Sequence, residues 1–263
     1  MDLQLGGKLA LVTGSTAGIG RAIAATLARE GADVIVNGRT REAVDEAVAA
    51  LSEDARGRVL GFAGDLGTAA AADEVARLHP DVEILVNNLG IFEPRPFEEI
   101  PDEDWMRFFE VNVLSGVRLA RAYLPGMRRR NWGRILFISS ESGIQVPAEM
   151  IHYGTTKSAQ IAVARGLAET VVGTGITVNS ILPGPTRSRG VGDFVEAMSR
   201  EAGKTPEETE RDFFQTARPS SILQRFIEPD EVAALVAYIA SPLSSATTGS
   251  PLRVDGGVIR SAF

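Results

Sequence analysis

Short apolar runs alternate along the whole chain with longer stretches of helical periodicity. Lys8 to Thr13 is a β-rich run, and Ile19 to Glu30 follows with apolar residues at helical spacing, stopping at Gly31, a C-cap signal. The same alternation predicts a strand at 33–36, a helix at 41–51, and strands at 58–62 and 83–86 separated by an alanine-rich helix from about Thr68. A long helix from about Asp102 to Arg130 carries Pro125, where a kink is expected. Strand 134–138, helix 152–172 and strand 176–181 complete the regular pattern. Strands that alternate with helices imply a parallel sheet covered on both faces. No linker, repeat or low-complexity tract divides the chain, so a single α/β unit over 1–263 is expected.

Composition narrows the function more than the fold. A net charge of −7 argues against a nucleic-acid binder. The chain has no cysteine, and its two histidines, His79 and His152, are far apart, so neither thiolate chemistry nor a histidine metal site is expected. His152 reads as a helix-start residue. The N-terminal residues show no basic stretch followed by an apolar one, and no apolar run approaches a membrane span; a cytoplasmic, non-membrane protein is the expectation.

Two stretches carry candidate chemistry. Thr13-Gly14-Ser15-Thr16-Ala17-Gly18-Ile19-Gly20 joins the first strand to the first helix. Glycines there let backbone approach a pyrophosphate, and a helix N-terminus offers unpaired N–H groups and the positive end of its dipole. Further on, Tyr153 and Lys157 are spaced i, i+4, one turn apart on one helix face. A phenol titrates near 10, but an ammonium about 4 Å away stabilises the phenolate by roughly 4 kcal/mol at an effective dielectric of about 20. That is about three pKa units, enough to prepare a general acid–base. Ser140 follows the strand 134–138, placing its hydroxyl in the crevice where open α/β sheets bind ligands.

Taken in order, these motifs make the chain resemble the short-chain dehydrogenase/reductase family, of the compact single-domain type, over nearly its whole length. Thr13 to Gly20 is similar to the family's T-G-x-x-x-G-x-G turn, and Asn87-Asn88-Leu89-Gly90 to its N-N-A-G stretch. Asn112, Ser140 thirteen residues before Tyr153, Tyr153 and Lys157 match the family tetrad. Pro183, Gly184 and Thr186 resemble the turn over the nicotinamide, and Val254 to Gly257 the last strand and turn. The resemblance implies a Rossmann-like, doubly wound, parallel seven-stranded sheet with a helical substrate lid at about 187–224. It implies hydride transfer between a nicotinamide and a carbonyl or hydroxyl carbon of a small molecule. Tyr153 would exchange the proton, and Lys157 would lower its pKa and bind the nicotinamide ribose. Ser140 would hold the substrate oxygen, and Asn112 a water linking Lys157 to solvent. Gly14, Ser15, Thr16, Gly18, Ile19 and Gly20 would cradle the dinucleotide; Asp65 would contact adenine and Asn88 line the ribose, with Leu66 and Gly90 also among the cofactor-binding residues. Homotetramer assembly through helices 102–130 and 152–172 is implied as well.

Departures and open readings remain at this stage. Leu89 replaces a small alanine, read as altered packing rather than changed substrate preference. Two lid helices are expected, 193–200 and one capped by Thr205, Pro206 and Glu208, with Phe194, Met198, Phe213 and Phe214 giving apolar faces suited to a partly apolar substrate. Arg128 to Arg130 read as a basic helix end, with docking of an acidic acyl carrier protein, hence a 3-oxoacyl thioester reductase, as the alternative. A non-catalytic dinucleotide sensor is the alternative of another class. The second strand ends at Asn37-Gly38-Arg39 without a carboxylate, and Asp33 sits at its opposite end. Lacking an acid for the ribose hydroxyls and having Arg39 for a 2′-phosphate, the chain is expected to prefer NADP(H), with NAD(H) possible and Ala17 adding no second basic group.

Overall fold

The computed structural model describes residues 2–188, 192, 199–200 and 203–262. Seven strands, β1 Leu9–Val12, β2 Asp33–Gly38, β3 Val59–Ala63, β4 Ile84–Asn87, β5 Gly133–Ile138, β6 Ile176–Pro183 and β7 Pro251–Val254, form one sheet in the order β3-β2-β1-β4-β5-β6-β7. Every pairing is parallel. Parallel strands covered on both sides need no polar alternation. That is why β5 and β6 are buried at every position.

Helices α1 Gly18–Arg29, α2 Arg41–Ser52 and α8 Pro229–Ala240 cover one face, where Ile23, Leu27, Leu51, Val232 and Val236 join a core with Val12, Val34 and Ile181. Helices α3 Ala69–Leu78, α5 Ser115–Arg130 and α6 Ile151–Glu169 cover the other through Val75, Leu119, Tyr123, Met127 and Ala164. Their starts are written locally. Thr40 and Thr68 cap α2 and α3 by accepting from Ala43 and Ala71, and Gly31, at φ +95°, follows α1 as expected. Thr205 and Glu208 close the expected capping box on α7, Pro206–Thr216. The other expected lid helix, with Phe194 and Met198, falls largely outside the described residues.

The run from Asp102 to Arg130 is helical throughout, with a π-helical turn at Glu110–Leu114 between α4 (Asp102–Phe109) and α5, and Pro125 lies inside α5. Pro125 and Arg121 are both exposed, so the carbonyl that loses its donor lies on the solvent side of α5. The π turn carries Asn112, fully buried beneath the cavity described next.

Candidate active site

Strand order reverses sequence sense between β1 and β4, and the carboxyl ends of β4, β5 and β6 open onto a cavity of about 460 Å³. Among its lining residues are Ile19, Asn88, Gly90, Ser140, Tyr153, Lys157, Pro183, Gly184 and Thr186, which the sequence placed in one site. Gly14, Ser15, Thr16, Gly18, Gly20, Arg39, Asp65, Leu66 and Asn112 do not line it. Most of these belong to the turn at the start of α1 or to the ends of β2 and β3.

The Gly-rich turn is held from beneath by Ser15 and Asn88, which the sequence had assigned to the cofactor, and by Asn37 and Thr13, to which it had given no role. Asn37 accepts from the Gly14 N–H at 3.0 Å and donates to the Phe62 and Gly64 carbonyls at 3.2 and 3.0 Å. Ser15, completely buried, donates to the Val12 carbonyl and accepts from the Asn37 N–H. Asn88 donates to the Thr13 and Gly14 carbonyls at 2.9 and 3.1 Å. Thr13 Oγ1 accepts from the Asn88 and Leu89 N–H groups, both at 2.9 Å. The signal for Asn37 was present: a polar residue directly after the apolar run Val34–Val36, next to the strand's carboxyl end. Gly14 and Gly18 have φ of +59° and +56°, and a Cβ on Gly20 would lie 2.5 Å from the Gly14 carbonyl oxygen. Ala17 caps α1 with no side-chain acceptor, and no acid occupies the first turn, so nothing from the side chains competes for its N–H groups. These features fit a dinucleotide pyrophosphate.

Arg39 directly follows β2, is exposed, and has no ion pair among the described residues. Asp33, at the opposite end of that strand, is bound by Arg58 at 2.6 Å, and the guanidinium holds its carboxyl below the usual range. Asp65, exposed beyond β3, accepts from the Gly67 N–H at 2.9 Å. Leu66 is buried in the core, so its side chain is unavailable to an adenine. Leu89 packs on the same core and against the turn at Gly14, outside the cavity lining, in keeping with the packing reading of this departure.

Tyr153 and Lys157 occupy the first turns of α6, with the ammonium 5.6 Å from the phenol ring centroid. Lys157 Nζ donates to the Ile138 carbonyl at 2.8 Å and to Gln160 Oε1 at 3.1 Å. Burial pushes Lys157 down to about 7, against a smaller opposing pull from Glu141. Desolvation raises the Tyr153 phenol, the Glu141 charge raises it further, and hydrogen bonding with Ser140 and the Arg218 charge partly offset this. Ser140 caps a short 3₁₀ turn, Glu141–Gly143; its hydroxyl accepts from Ser142 N–H at 3.1 Å and donates to the Glu141 carboxylate.

Asn112 is fixed by its neighbours: its side-chain Oδ1 accepts from Ile91 N–H at 2.8 Å, and Nδ2 donates to the Ile91 carbonyl and Thr156 Oγ1 at 3.0 and 2.9 Å. Its backbone carbonyl accepts from Gln160 Nε2, and Gln160 Oε1 accepts from Lys157, so Gln160 joins Asn112 to Lys157. His152 is a helix-start residue as read, buried against Phe108 and Trp105, and its burial lowers its pKa. The substrate side of the cavity is mostly apolar, with Ile91, Phe92, Met150, Phe213 and Phe226, plus the charged group Glu141, Glu149 and Arg218. Among the described residues no cluster of three metal-ligating side chains occurs.

The family model described as short chain dehydrogenase matches residues 8–199. "Uncharacterized oxidoreductase YvaG" of Bacillus subtilis (strain 168) is 48% identical over 264 residues, covering all of both chains. The L-sorbose reductase of Gluconobacter frateurii, solved with NADPH and L-sorbose, superposes with a TM-score of 0.94 at 31% identity, over 99% of this chain and 100% of that one. A 7α-hydroxysteroid dehydrogenase solved with NADH superposes with a TM-score of 0.83 at 30% identity, over 100% of this chain and 98% of that one.

Proposed function

The chain belongs to the short-chain dehydrogenase family, and from that premise we propose an NADP(H)-preferring oxidoreductase acting on a carbonyl or hydroxyl carbon of a small, partly apolar substrate. The observation that carries the reading is the convergence of Ser140, Tyr153 and Lys157 on one cavity beside an N–H-rich helix start. A bound nicotinamide supplies or accepts the hydride; the protein's part is binding, orientation and the proton. The first turn of α1 receives the pyrophosphate, Arg39 a 2′-phosphate, and Lys157 the ribose hydroxyls near the cavity. Tyr153 and Ser140 converge on the substrate oxygen. Because the phenol is held neutral, it is suited to donate its proton to that oxygen as the carbonyl carbon is reduced. Apolar walls from Phe92, Met150 and Phe213 exclude water from the reacting atoms and favour a substrate with a hydrocarbon portion.

The carrier-protein alternative has less support. Arg128 donates to the Thr170 carbonyl at 2.8 Å and Arg130 to the Val82 carbonyl at 2.9 Å, so two of the three arginines already serve the helix end. A non-catalytic sensor has no need of a tyrosine, lysine and serine converging on the substrate cavity. The test is a panel of carbonyl compounds (L-sorbose, acetoacetate, an acetoacetyl thioester, cyclohexanone, a 7-oxo steroid) with NADPH and NADH. Nicotinamide oxidation by wild type that drops by about 100-fold or more in Tyr153→Phe supports the reading. Equal rates in the two proteins, or none with any compound, would sink it.

A further inference from the structure

Beside the reacting end of the cavity stands a buried carboxylate to which the proton transfer at Tyr153 gives no part. Ser140 and Glu141 lie just past β5, and Glu141 is 4% exposed and lines the cavity. The Ser140 hydroxyl donates to Glu141 Oε2, and Arg218 Nε lies 3.4 Å from Oε1. Ser140 is the more constrained of these partners. Its single proton goes to Glu141, while its oxygen accepts from the Ser142 N–H at 3.1 Å. A carbonyl oxygen can only accept, so Ser140 serves it only by turning that proton away from Glu141. The turn takes a hydrogen bond from a buried charged acceptor, among the costlier bonds to lose. Arg218 is anchored elsewhere, its Nη1 donating to Glu149 at 2.9 Å and to the Ala217 carbonyl at 2.8 Å. A donor that replaces the serine proton on Glu141 therefore has to arrive with the substrate.

We propose that Glu141 selects substrates with a hydroxyl on the carbon next to the reacting carbonyl, that is, α-hydroxy ketones reduced to vicinal diols. The proposal rests on the functional reading above and deepens it. The substrate hydroxyl donates to the Glu141 carboxylate in place of Ser140, and the freed serine proton turns to the carbonyl oxygen. Ser140 Oγ and Glu141 Oε2 are in hydrogen-bond contact, a separation similar to that between the two oxygens of an α-hydroxy ketone. One pair of protein oxygens thus faces one pair of substrate oxygens. The carbonyl carbon gains the hydride, its oxygen gains the Tyr153 proton, and the adjacent hydroxyl is unchanged. A simple ketone brings no donor, so serving it strips Glu141 of its hydrogen bond. A carboxylate at the adjacent carbon is disfavoured by charge, since Glu141 and Glu149 there face one guanidinium, Arg218. Phe92, Met150 and Phe213 are left to take the hydrocarbon portion.

The experiment gives the full chain, with NADPH, three matched ketones: cyclohexanone, 2-hydroxycyclohexanone and 2-methoxycyclohexanone. The methoxy ketone keeps the electron withdrawal of an α-oxygen but has no donor, and cyclohexanone is the smaller control. In wild type, kcat/KM for the hydroxy ketone is expected to exceed both others by about 10- to 100-fold, the range of a hydrogen bond to a charged group. Glu141→Gln keeps the shape and one neutral acceptor but loses the charge, and is expected to bring that ratio down about 10-fold. A merely structural role for Glu141 would instead lower all three ketones together and leave the ratio where it was. The wild-type comparison needs no variant, so a poorly folding substitution leaves it intact. Equal kcat/KM for the three ketones in wild type, or turnover of other panel compounds but not of the hydroxy ketone, overturns the inference and leaves the functional reading standing. A ratio unmoved in Glu141→Gln overturns it as well. If the wild type turns over no compound at all, the functional reading fails and this inference falls with it.

Discussion

Arg39 is where one side chain is expected to decide cofactor choice. It stands exposed just past β2, without a salt bridge among the described residues and with no carboxylate at that strand end to repel a phosphate. Arg39→Ala is expected to lower kcat/KM for NADPH about 10-fold or more while leaving NADH nearly unchanged, a fork of charge-assisted hydrogen bonds being the element removed. Initial rates with both nucleotides check this; equal losses would reduce Arg39 to a surface residue. Lys157 sets a pH dependence of its own. With its ordinary value lowered to about 7, it is an ammonium below that pH and increasingly an amine above it. If the ammonium binds the ribose, affinity for NADP⁺ is present at low pH and weakens as pH rises through about 7. Fluorescence titrations between about pH 6 and 9 should show that slope in wild type and its loss in Lys157→Met.

At the scale of elements, the π turn Glu110–Leu114 and strand β2 do work that their surroundings conceal. The π turn swings Asn112 under the segment at Ile91, where one amide satisfies both backbone groups of that residue. Asn112→Asp keeps the acceptor but loses both donors in a fully buried position, so it is expected to destabilise the fold by about 2–4 kcal/mol. Urea unfolding monitored by circular dichroism would show this as a lower midpoint; an unchanged midpoint would mean that Ile91 finds other partners. Asn37 plays the matching part for the Gly-rich turn. It ties β2 to Gly14 and to the end of β3, so Asn37→Ala should weaken NADPH binding more than it alters turnover at saturating nucleotide.

For the whole molecule, one expectation concerns assembly. Along α4, the π turn and α5, Met106, Phe109 and Leu114 are 70, 38 and 40% exposed, an apolar stripe on the helices where a partner was expected from the sequence. We expect a homotetramer that uses this stripe. Light scattering at micromolar concentration should report four chains, and Met106→Glu with Leu114→Glu should reduce the assembly; a monomeric wild type would end the idea. Among the described residues no helix is long and apolar enough to cross a membrane.

The sequence by itself determined the sheet-and-helix order, because runs such as Ile135 to Ile138 and helices capped by Thr40, Thr68 and Thr205 state their conformation locally. It also placed Ser140, Tyr153 and Lys157 together, since the i, i+4 spacing and the strand end before Ser140 are local facts. What only the tertiary structure decided is every contact between elements distant in the chain. Gln160 meets Asn112 across 48 residues, and Arg218 meets Glu141 across 77. No periodicity records such meetings. They set the surroundings of the site, where Glu141 and Arg218 act in opposite directions on the phenol and Gln160 joins Lys157 to Asn112. Local pattern specifies elements through backbone propensity and burial, whereas electrostatics in a cavity depends on which side chains the folded sheet carries to the same few ångströms.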